Sequence, residues 1–149
     1  MRAVFDADRM DALNGAQDLV QRLVTHDDAQ LALLTGNLEA MAYLKVGAIG
    51  FDRTHFPFGA FGSDAEDRNA LPHIALDRAA AHAGRSFPAG DAVIIGDTPR
   101  DIECGRAAGC MTVAVATGRY DRDALAEHTP DVLLDDLADT DAALQAILG

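Results

Sequence analysis

The stretch Val93-Ile-Ile-Gly-Asp-Thr-Pro-Arg-Asp-Ile102 is the most informative part of the sequence. Its apolar first half predicts a buried strand, which leads Asp97 into a polar turn and places Asp101 at the start of the next helix. Two carboxylates placed in this way can hold a hard, oxygen-preferring cation such as Mg²⁺, directly or through water. Alternatively, Asp97 caps the helix and Asp101 favours its positive end, which requires no metal. The segment alone leaves both interpretations open.

Similar apolar runs, alternating with helical patterns, occur on both sides of this stretch. The alternation is typical of a mostly parallel sheet covered by helices on both faces, so we predict an α/β fold. Four of the predicted strands end in polar turns, and open parallel sheets bind ligands beyond the carboxyl ends of their strands. Residues 47–69 have no clear period and are predicted to be a loop with short strand or turn pieces. The predicted strands cover 3–5, 31–34, 92–95, 112–116 and 132–134, and the predicted helices cover 16–24, 38–44, 72–83, 101–108 and 139–148.

Length and composition narrow the class of protein. The 149 residues, 49% of them hydrophobic, predict a single globular domain over residues 1–149. The formal net charge of −12 argues against a nucleic-acid partner, because such proteins need a basic surface. No apolar run approaches the roughly 20 residues of a membrane helix, and the N-terminus lacks a secretory pattern, so no membrane partner and a cytoplasmic location are expected. Cys104 and Cys110 are expected to be small buried hydrophobes, with neither a disulfide nor a zinc site.

A second candidate site follows the predicted strand over 31–34. Thr35 can offer a hydroxyl group to a phosphate at a helix start, and Gly36 and Asn37 can offer backbone amides. The alternative is an ordinary capped helix that binds no ligand.

Arg68 is a third candidate, because it lies just ahead of a helix that Pro72 helps to start. A cation at this place could bridge a phosphate and a nucleophile. A lone surface arginine is otherwise usually solvated, so the residue needs further support.

These segments together resemble a known family. Leu33-Leu-Thr-Gly-Asn37, followed about sixty residues later by Ile94-Ile-Gly-Asp-Thr-Pro-Arg-Asp-Ile102, is similar to the second and fourth motifs of the haloacid dehalogenase superfamily. The similarity runs from about Leu13 onward and is nearest to phosphoglycolate-phosphatase-like members. It implies a Rossmann-like, three-layer α/β/α core. It also implies a phosphatase in which a strand-end Asp forms an aspartyl-phosphate, a second Asp acts as general acid and base, and Mg²⁺ neutralises the phosphate.

On the phosphate side, the resemblance implies that Thr35 is the phosphate-binding hydroxyl, with Gly36 and Asn37 beside it. Arg68 would be the cation of the third motif, although the family more often has Lys in that role. Lys45 is a rival for this function, but its place in the helix after Asn37 favours a side chain that extends along the surface.

On the acidic side, the resemblance implies four carboxylates near the metal ion: Asp6, Asp8, Asp97 and Asp101. Asp6 would be the nucleophile and Asp8 the general acid and base. Ala3-Val-Phe-Asp-Ala-Asp-Arg-Met10 matches the strand and both acids of the family's first motif, but Arg9 and Met10 replace its Gly and Thr. The Gly normally allows a tight turn, so Arg9 would have to fit a position that favours positive φ.

The helical cap domain that phosphoglycolate-phosphatase-like relatives carry after the first motif is also missing, which leaves two interpretations open. In the first, the chain is a capless core with Asp6 as its nucleophile. In the second, residues 1–14 are the remnant of a lost cap, the nucleophile strand is missing, and Asp6 and Asp8 are surface acids.

The resulting prediction is a Mg²⁺-dependent phosphatase that hydrolyses a small phosphorylated metabolite. The alternative is a catalytically silent core that binds phosphate, metal or a protein partner without turnover. Such a core would expose an apolar sheet edge or face where the missing part should pack, and a homodimer is one way of covering it. The sequence does not identify the substrate.

Overall fold

A six-stranded, all-parallel sheet forms the centre of the molecule, with the strand order β3-β2-β1-β4-β5-β6. The structure is a computed structural model that describes residues 2–6, 15–26, 29–48, 50–116 and 120–148, with residues 2–6 and 16 described through their backbone. The strands are Arg2–Asp6 (β1), Ala29–Leu34 (β2), Phe58–Ala60 (β3), Ala92–Gly96 (β4), Met111–Val115 (β5) and Val132–Leu134 (β6). The helices are Ala16–Val24 (α1), Glu39–Ala48 (α2), Leu71–Ala83 (α3), Pro99–Ala108 (α4), Arg122–Ala126 (α5) and Thr140–Leu148 (α6).

Helices cover both faces of the sheet, because consecutive strand residues point to opposite sides. In β2, Leu31 and Leu33 belong to a core on one face, while Ala32 and Leu34 belong to a core on the other. The first core also takes side chains from α1, α2 and α6, and the second from α3 and α4. Leu125 of α5 packs in a smaller cluster with α4 and β5. The predicted α/β fold with three layers is thereby confirmed.

The strand order changes direction between β1 and β4, which places β1 in the middle of the sheet. In register, Asp6 at the end of β1 lies beside Leu33 of β2 and Ile95 of β4. The carboxyl ends of these three strands therefore lie side by side at a topological switch point, the usual place for a ligand in an open α/β sheet.

All five predicted strands and all five predicted helices are present, with boundaries that differ by at most a few residues. Gly109 has a φ of 79° directly after α4 and ends this helix, since glycine adopts the left-handed conformation readily. The start of α4 differs: Thr98 is the N-cap residue, and Asp97 is not. The interpretation of Asp97 as the cap was therefore wrong, because the Thr98 hydroxyl accepts from the Asp101 amide.

Nine residues connect β1 to α1, too few for an inserted cap domain at this point of the chain. Among the residues that the structure describes, no helix has the length and apolar character needed to span a membrane.

Candidate active site

Polar residues follow three neighbouring strands at one edge of the sheet. Thr35 follows β2, Asp6 is the last residue of β1, and Asp97 follows β4. Asp6 is described through its backbone, and Asp8 lies outside the described residues. The strand order therefore places the Asp6 backbone between the two predicted sites at Thr35 and Asp97.

The loop of Thr35, Gly36 and Asn37, here called the β2 loop, is tied to strand β3. The Thr35 backbone amide donates to the Ala60 carbonyl oxygen at 3.1 Å, and Thr35 is 5% exposed. Its hydroxyl oxygen accepts from the Asn37 amide at 3.0 Å. This local bond holds the loop in a turn at the end of β2 and directs the Asn37 amide towards Thr35.

Arg68 connects the β2 loop with the segment after β4. It begins a short 3₁₀ turn, Arg68–Ala70, and its Nη2 atom donates to Asp101 Oδ1 at 2.7 Å. Both side chains are largely buried, at 16% and 3% exposure. A Cβ atom built on Gly36 would lie 3.7 Å from Arg68 Nη1. The guanidinium group therefore reaches both the acidic segment and the β2 loop, whereas Lys45 lies exposed on α2.

Asp101 is held in a capping box at the start of α4. Its Oδ2 atom accepts from the Asp97 amide at 3.1 Å, the Thr98 amide at 3.1 Å and the Thr98 hydroxyl at 2.9 Å. A Cβ atom on Gly96 would lie 2.2 Å from the same oxygen, so a side chain there would displace the carboxylate. Asp101 thus stabilises the helix start and holds Arg68, as its position in the first turn indicates.

The donor set at this edge is of the kind that a hard divalent cation prefers. Asp97 is 2% exposed and lies next to the end of β1, and carboxylate oxygens are the usual ligands of Mg²⁺. Asp101 already accepts hydrogen bonds at both oxygens, so Asp97 is the better candidate for direct contact. Within the described part of the chain, no group of three or more His, Cys, Asp or Glu residues is arranged around a metal position. The remaining predicted ligands are the Asp6 carboxylate and Asp8.

The described side chains at this edge of the sheet carry more negative than positive charge, which opposes the binding of a phosphate. Among the described side chains, Arg68 forms an ion pair with Asp101, and Asp97 is a second buried carboxylate in the same segment. A phosphate dianion would meet net negative charge here, so its binding requires a further positive charge. A divalent cation beside Asp97 would supply that charge.

Two residues that shape this region, Thr98 and Gly62, were not identified from the sequence. Thr98 could have been found, because Thr98-Pro-Arg-Asp101 has the spacing of a capping box. Gly62 gave no local signal, since its role depends on a contact with Gly36 that only the folded chain brings about.

Comparisons with known proteins agree with this fold. Residues 70–140, slightly less than half of the chain, match a family model described as HAD-hydrolase-like, where HAD stands for haloacid dehalogenase. A search of curated proteins finds no match.

Several solved structures superpose well on the chain. A haloacid dehalogenase-like hydrolase from Streptococcus pneumoniae is 22% identical with a TM-score of 0.75, over 89% of this chain and 59% of its own length. A predicted phosphoglycolate phosphatase from Haemophilus somnus is 21% identical with a TM-score of 0.72, over 89% of this chain and 57% of its own length. A hydrolase from Pseudomonas syringae is 22% identical with a TM-score of 0.71, over 91% and 62%. This chain thus spans about three fifths of the length of these structures.

The family match covers helix α3, which follows Arg68, and the segment from Asp97 to Asp101. The superposition on the Streptococcus pneumoniae structure covers 89% of the chain. Residues 70–140 are thus similar to a haloacid dehalogenase-like hydrolase, and the chain as a whole has the fold of the solved hydrolase structures.

Proposed function

We propose that this chain is a phosphatase core that hydrolyses a small phosphorylated metabolite with the help of Mg²⁺. The observation that carries the proposal is the convergence of three segments on the end of β1: the β2 loop, Arg68, and the acids after β4. Phosphoryl transfer needs little more than an in-line nucleophile and positive charge around the phosphate oxygens. The similar structures, which are described as hydrolases and a predicted phosphoglycolate phosphatase, support the same class of reaction.

In this proposal the Asp6 carboxylate attacks phosphorus, and the bond between phosphorus and the leaving oxygen breaks. Asp8 gives its proton to the leaving alcohol. Asp8 then accepts a proton from water, whose oxygen attacks the aspartyl-phosphate and releases inorganic phosphate, which regenerates Asp6. Thr35 and Arg68 would bind the phosphate oxygens.

The proposal assigns direct contact with Mg²⁺ to Asp97 and, by the family resemblance, to Asp6 and Asp8. When bound, the ion supplies positive charge to the phosphate oxygens. Asp101 would act beside it, by holding Arg68 and the start of α4 in place.

The test is hydrolysis of p-nitrophenyl phosphate with Mg²⁺ and with EDTA. We expect turnover that depends on Mg²⁺ and falls at least about a hundredfold in Asp6→Asn, because the amide is a poor nucleophile. Asp97→Asn should need more Mg²⁺ for the same rate. The control is Asp77→Asn on the exposed side of α3, which should behave as the unmodified chain does. Turnover that persists in Asp6→Asn would remove this residue from the mechanism.

A second candidate function is a core that binds phosphate or metal without turnover. The replacement of the family's Gly and Thr by Arg9 and Met10 favours it, since these residues directly follow the two proposed catalytic acids. It predicts a ³¹P signal of inorganic phosphate that broadens with protein in the presence of Mg²⁺, and no hydrolysis of p-nitrophenyl phosphate. The predicted homodimer belongs to this alternative and stays a prediction.

A further inference from the structure

Among the strands that the structure describes, β3 lies at the edge of the sheet, and the ion pair of Arg78 and Asp64 covers its outer side. Because β3 pairs with β2 through Ala60, the backbone groups of Gly59 and Phe61 point to the opposite, unpaired side. Arg78 Nη1 donates to the Gly59 carbonyl oxygen at 2.6 Å, and the Phe61 amide donates to Asp64 Oδ2 at 2.8 Å. The two side chains thus occupy the positions that a further strand would take.

Arg78 and Asp64 also bind each other in a two-point contact. Nη1 and Nη2 of Arg78 donate to Oδ2 and Oδ1 of Asp64 at 2.7 and 2.9 Å. The hydrogen bonds from Arg78 keep the pKa of Asp64 below its usual value, so the pair stays ionised at neutral pH. This planar contact fixes the direction as well as the distance between α3 and the end of β3.

The turn that Asp64 closes packs directly on the β2 loop. The Asp64 amide donates to the Phe61 carbonyl at 2.9 Å, and the Gly62 amide within this turn donates to the Asn37 carbonyl at 2.8 Å. A Cβ atom on Gly62 would lie only 2.0 Å from the Gly36 carbonyl oxygen. Glycine is therefore required at position 62 for space, so that two backbones can touch.

The β2 loop is consequently held at two points by one segment. Ala60 binds the Thr35 amide, and Gly62 binds Asn37 two residues later. The other side of that segment is fixed by Arg78 and Asp64. A change at the ion pair would move the end of β3, and the Thr35 hydroxyl would move with it.

We propose that Asp64, Arg78 and Gly62 are positioning residues, which hold the β2 loop in the geometry that binds a phosphoryl group. The inference rests on the proposed function of Thr35 as a phosphate-binding residue. None of the three residues needs to touch the substrate. They act on the β2 loop through the backbone of residues 60–62.

The main test compares Gly62→Ala with Gly90→Ala, since a Cβ atom on Gly90 would meet nothing within 4 Å. For each variant we would measure KM and kcat for p-nitrophenyl phosphate, the inhibition constant of inorganic phosphate, and the melting temperature. We expect KM and the phosphate inhibition constant to rise about tenfold or more in Gly62→Ala, because a displacement of about 1 Å is enough for such losses. Gly90→Ala should stay within about twofold of the unmodified chain.

Asp64→Ala provides the second variant, because it removes the ion pair without adding an atom near Gly36. It tests the inference even if Gly62→Ala does not fold. We expect weaker phosphate binding here too, with a smaller loss in Asp64→Asn, whose side-chain oxygen still accepts from Phe61. Phosphate binding equal to that of the unmodified chain in folded Asp64→Ala would overturn the inference, even if the melting temperature fell.

The two proposals fail in different ways. If the unmodified chain hydrolyses the substrate and the variants bind phosphate normally, the positioning role is wrong and the phosphatase stands. If the unmodified chain does not hydrolyse the substrate but binds inorganic phosphate, the phosphatase is wrong, and calorimetric titration of the same variants with phosphate decides on the positioning role. If it does neither, both proposals are wrong.

Discussion

Arg68 shows what a single residue contributes to this edge of the sheet. Its family role could be suggested from sequence, but its partner could not, because Asp101 lies 33 residues away and in another element. The structure shows that the guanidinium group both balances a buried carboxylate and faces the β2 loop. Stability and phosphate binding are therefore expected to depend on the same side chain.

We predict that Arg68→Gln lowers the free energy of unfolding by about 3 kcal/mol, since it leaves the Asp101 charge buried without its cation. The same variant should weaken inhibition by inorganic phosphate. Urea unfolding and inhibition assays check the two effects. Arg100→Gln, an exposed position in the first turn of α4, is the control. A stability change no larger than that of the control would contradict the role of Arg68 in the ion pair.

The start of α4 shows that the N-cap residue of a helix is difficult to identify from single residues such as Asp97 and Thr98. Both Asp97 and Asp101 were recognised as important, and both are buried beside α4. The alternative in which Asp97 caps the helix named the wrong residue, because Asp and Thr are both good N-cap residues and the pattern does not distinguish neighbours. In the structure Thr98 is the N-cap residue, and Asp97 is a buried residue just before it.

At the scale of elements, the contact between α4 and the sheet depends on one small residue. A Cβ atom on Gly105 would lie 2.5 Å from Thr112 Cγ2 and 3.1 Å from Ile94 Cγ1. Helix α4 therefore lies closer to β4 and β5 than a residue with a side chain would permit. Since Asp101 lies in the first turn of α4, this close packing also determines how far Asp101 lies from the sheet.

We predict that Gly105→Ala destabilises the fold by about 1–3 kcal/mol through overpacking. Gly47→Ala is the matched control in helix α2, where an added Cβ atom would meet nothing within 4 Å. Alanine should stabilise that helix by about 0.5–1 kcal/mol. Both values come from urea unfolding at equilibrium. Equal effects of the two substitutions would show that the distance between α4 and the sheet does not depend on Gly105.

Two short elements, β3 and α5, were not predicted from the sequence. Strand β3 has three residues and α5 has five, too few to show a period, and β3 falls in the region predicted to be a loop with short pieces. Asp121 does cap α5 through the Ala124 amide, and this signal could have been used. Helix α2 continues past the predicted end at residue 44, because Val46 still packs in the core.

At the scale of the whole molecule, the layers could be predicted because burial on both faces makes each inner strand an uninterrupted apolar run. The order of the strands could not, since the sequence shows which segments are strands but not which of them are neighbours. The site depends on that order. The backbones of Thr35, Asp6 and Asp97 lie at neighbouring strand ends only because β1 lies between β2 and β4.

The two cysteines provide a probe of the folded state as a whole. Burial raises the pKa of Cys104 to about 12 and that of Cys110 to about 11. At pH 8 roughly one Cys104 side chain in ten thousand would be a thiolate. We predict that neither cysteine reacts with a chromogenic disulfide reagent at pH 8 until urea unfolds the chain, when both should react.

The raised pKa values of the two thiols also determine how the stability of the fold changes with pH. The folded state favours the protonated thiols, so this contribution to stability is present below the usual thiol pKa of about 9 and declines as the pH rises above it. Unfolding curves at pH 7 and pH 10 check the direction. Fast reaction of either thiol in the folded chain would contradict their burial.

The central place of β1 also has a kinetic consequence. Ala3 pairs with Ala92, so one neighbour of this strand is supplied by a segment about ninety residues later in the chain. Until β1 and β4 pair, the backbone hydrogen-bonding groups that each strand turns towards the other have no partner strand. The entropy of closing so long a loop slows this step, and the half-assembled sheet is the form in which the chain would associate with copies of itself.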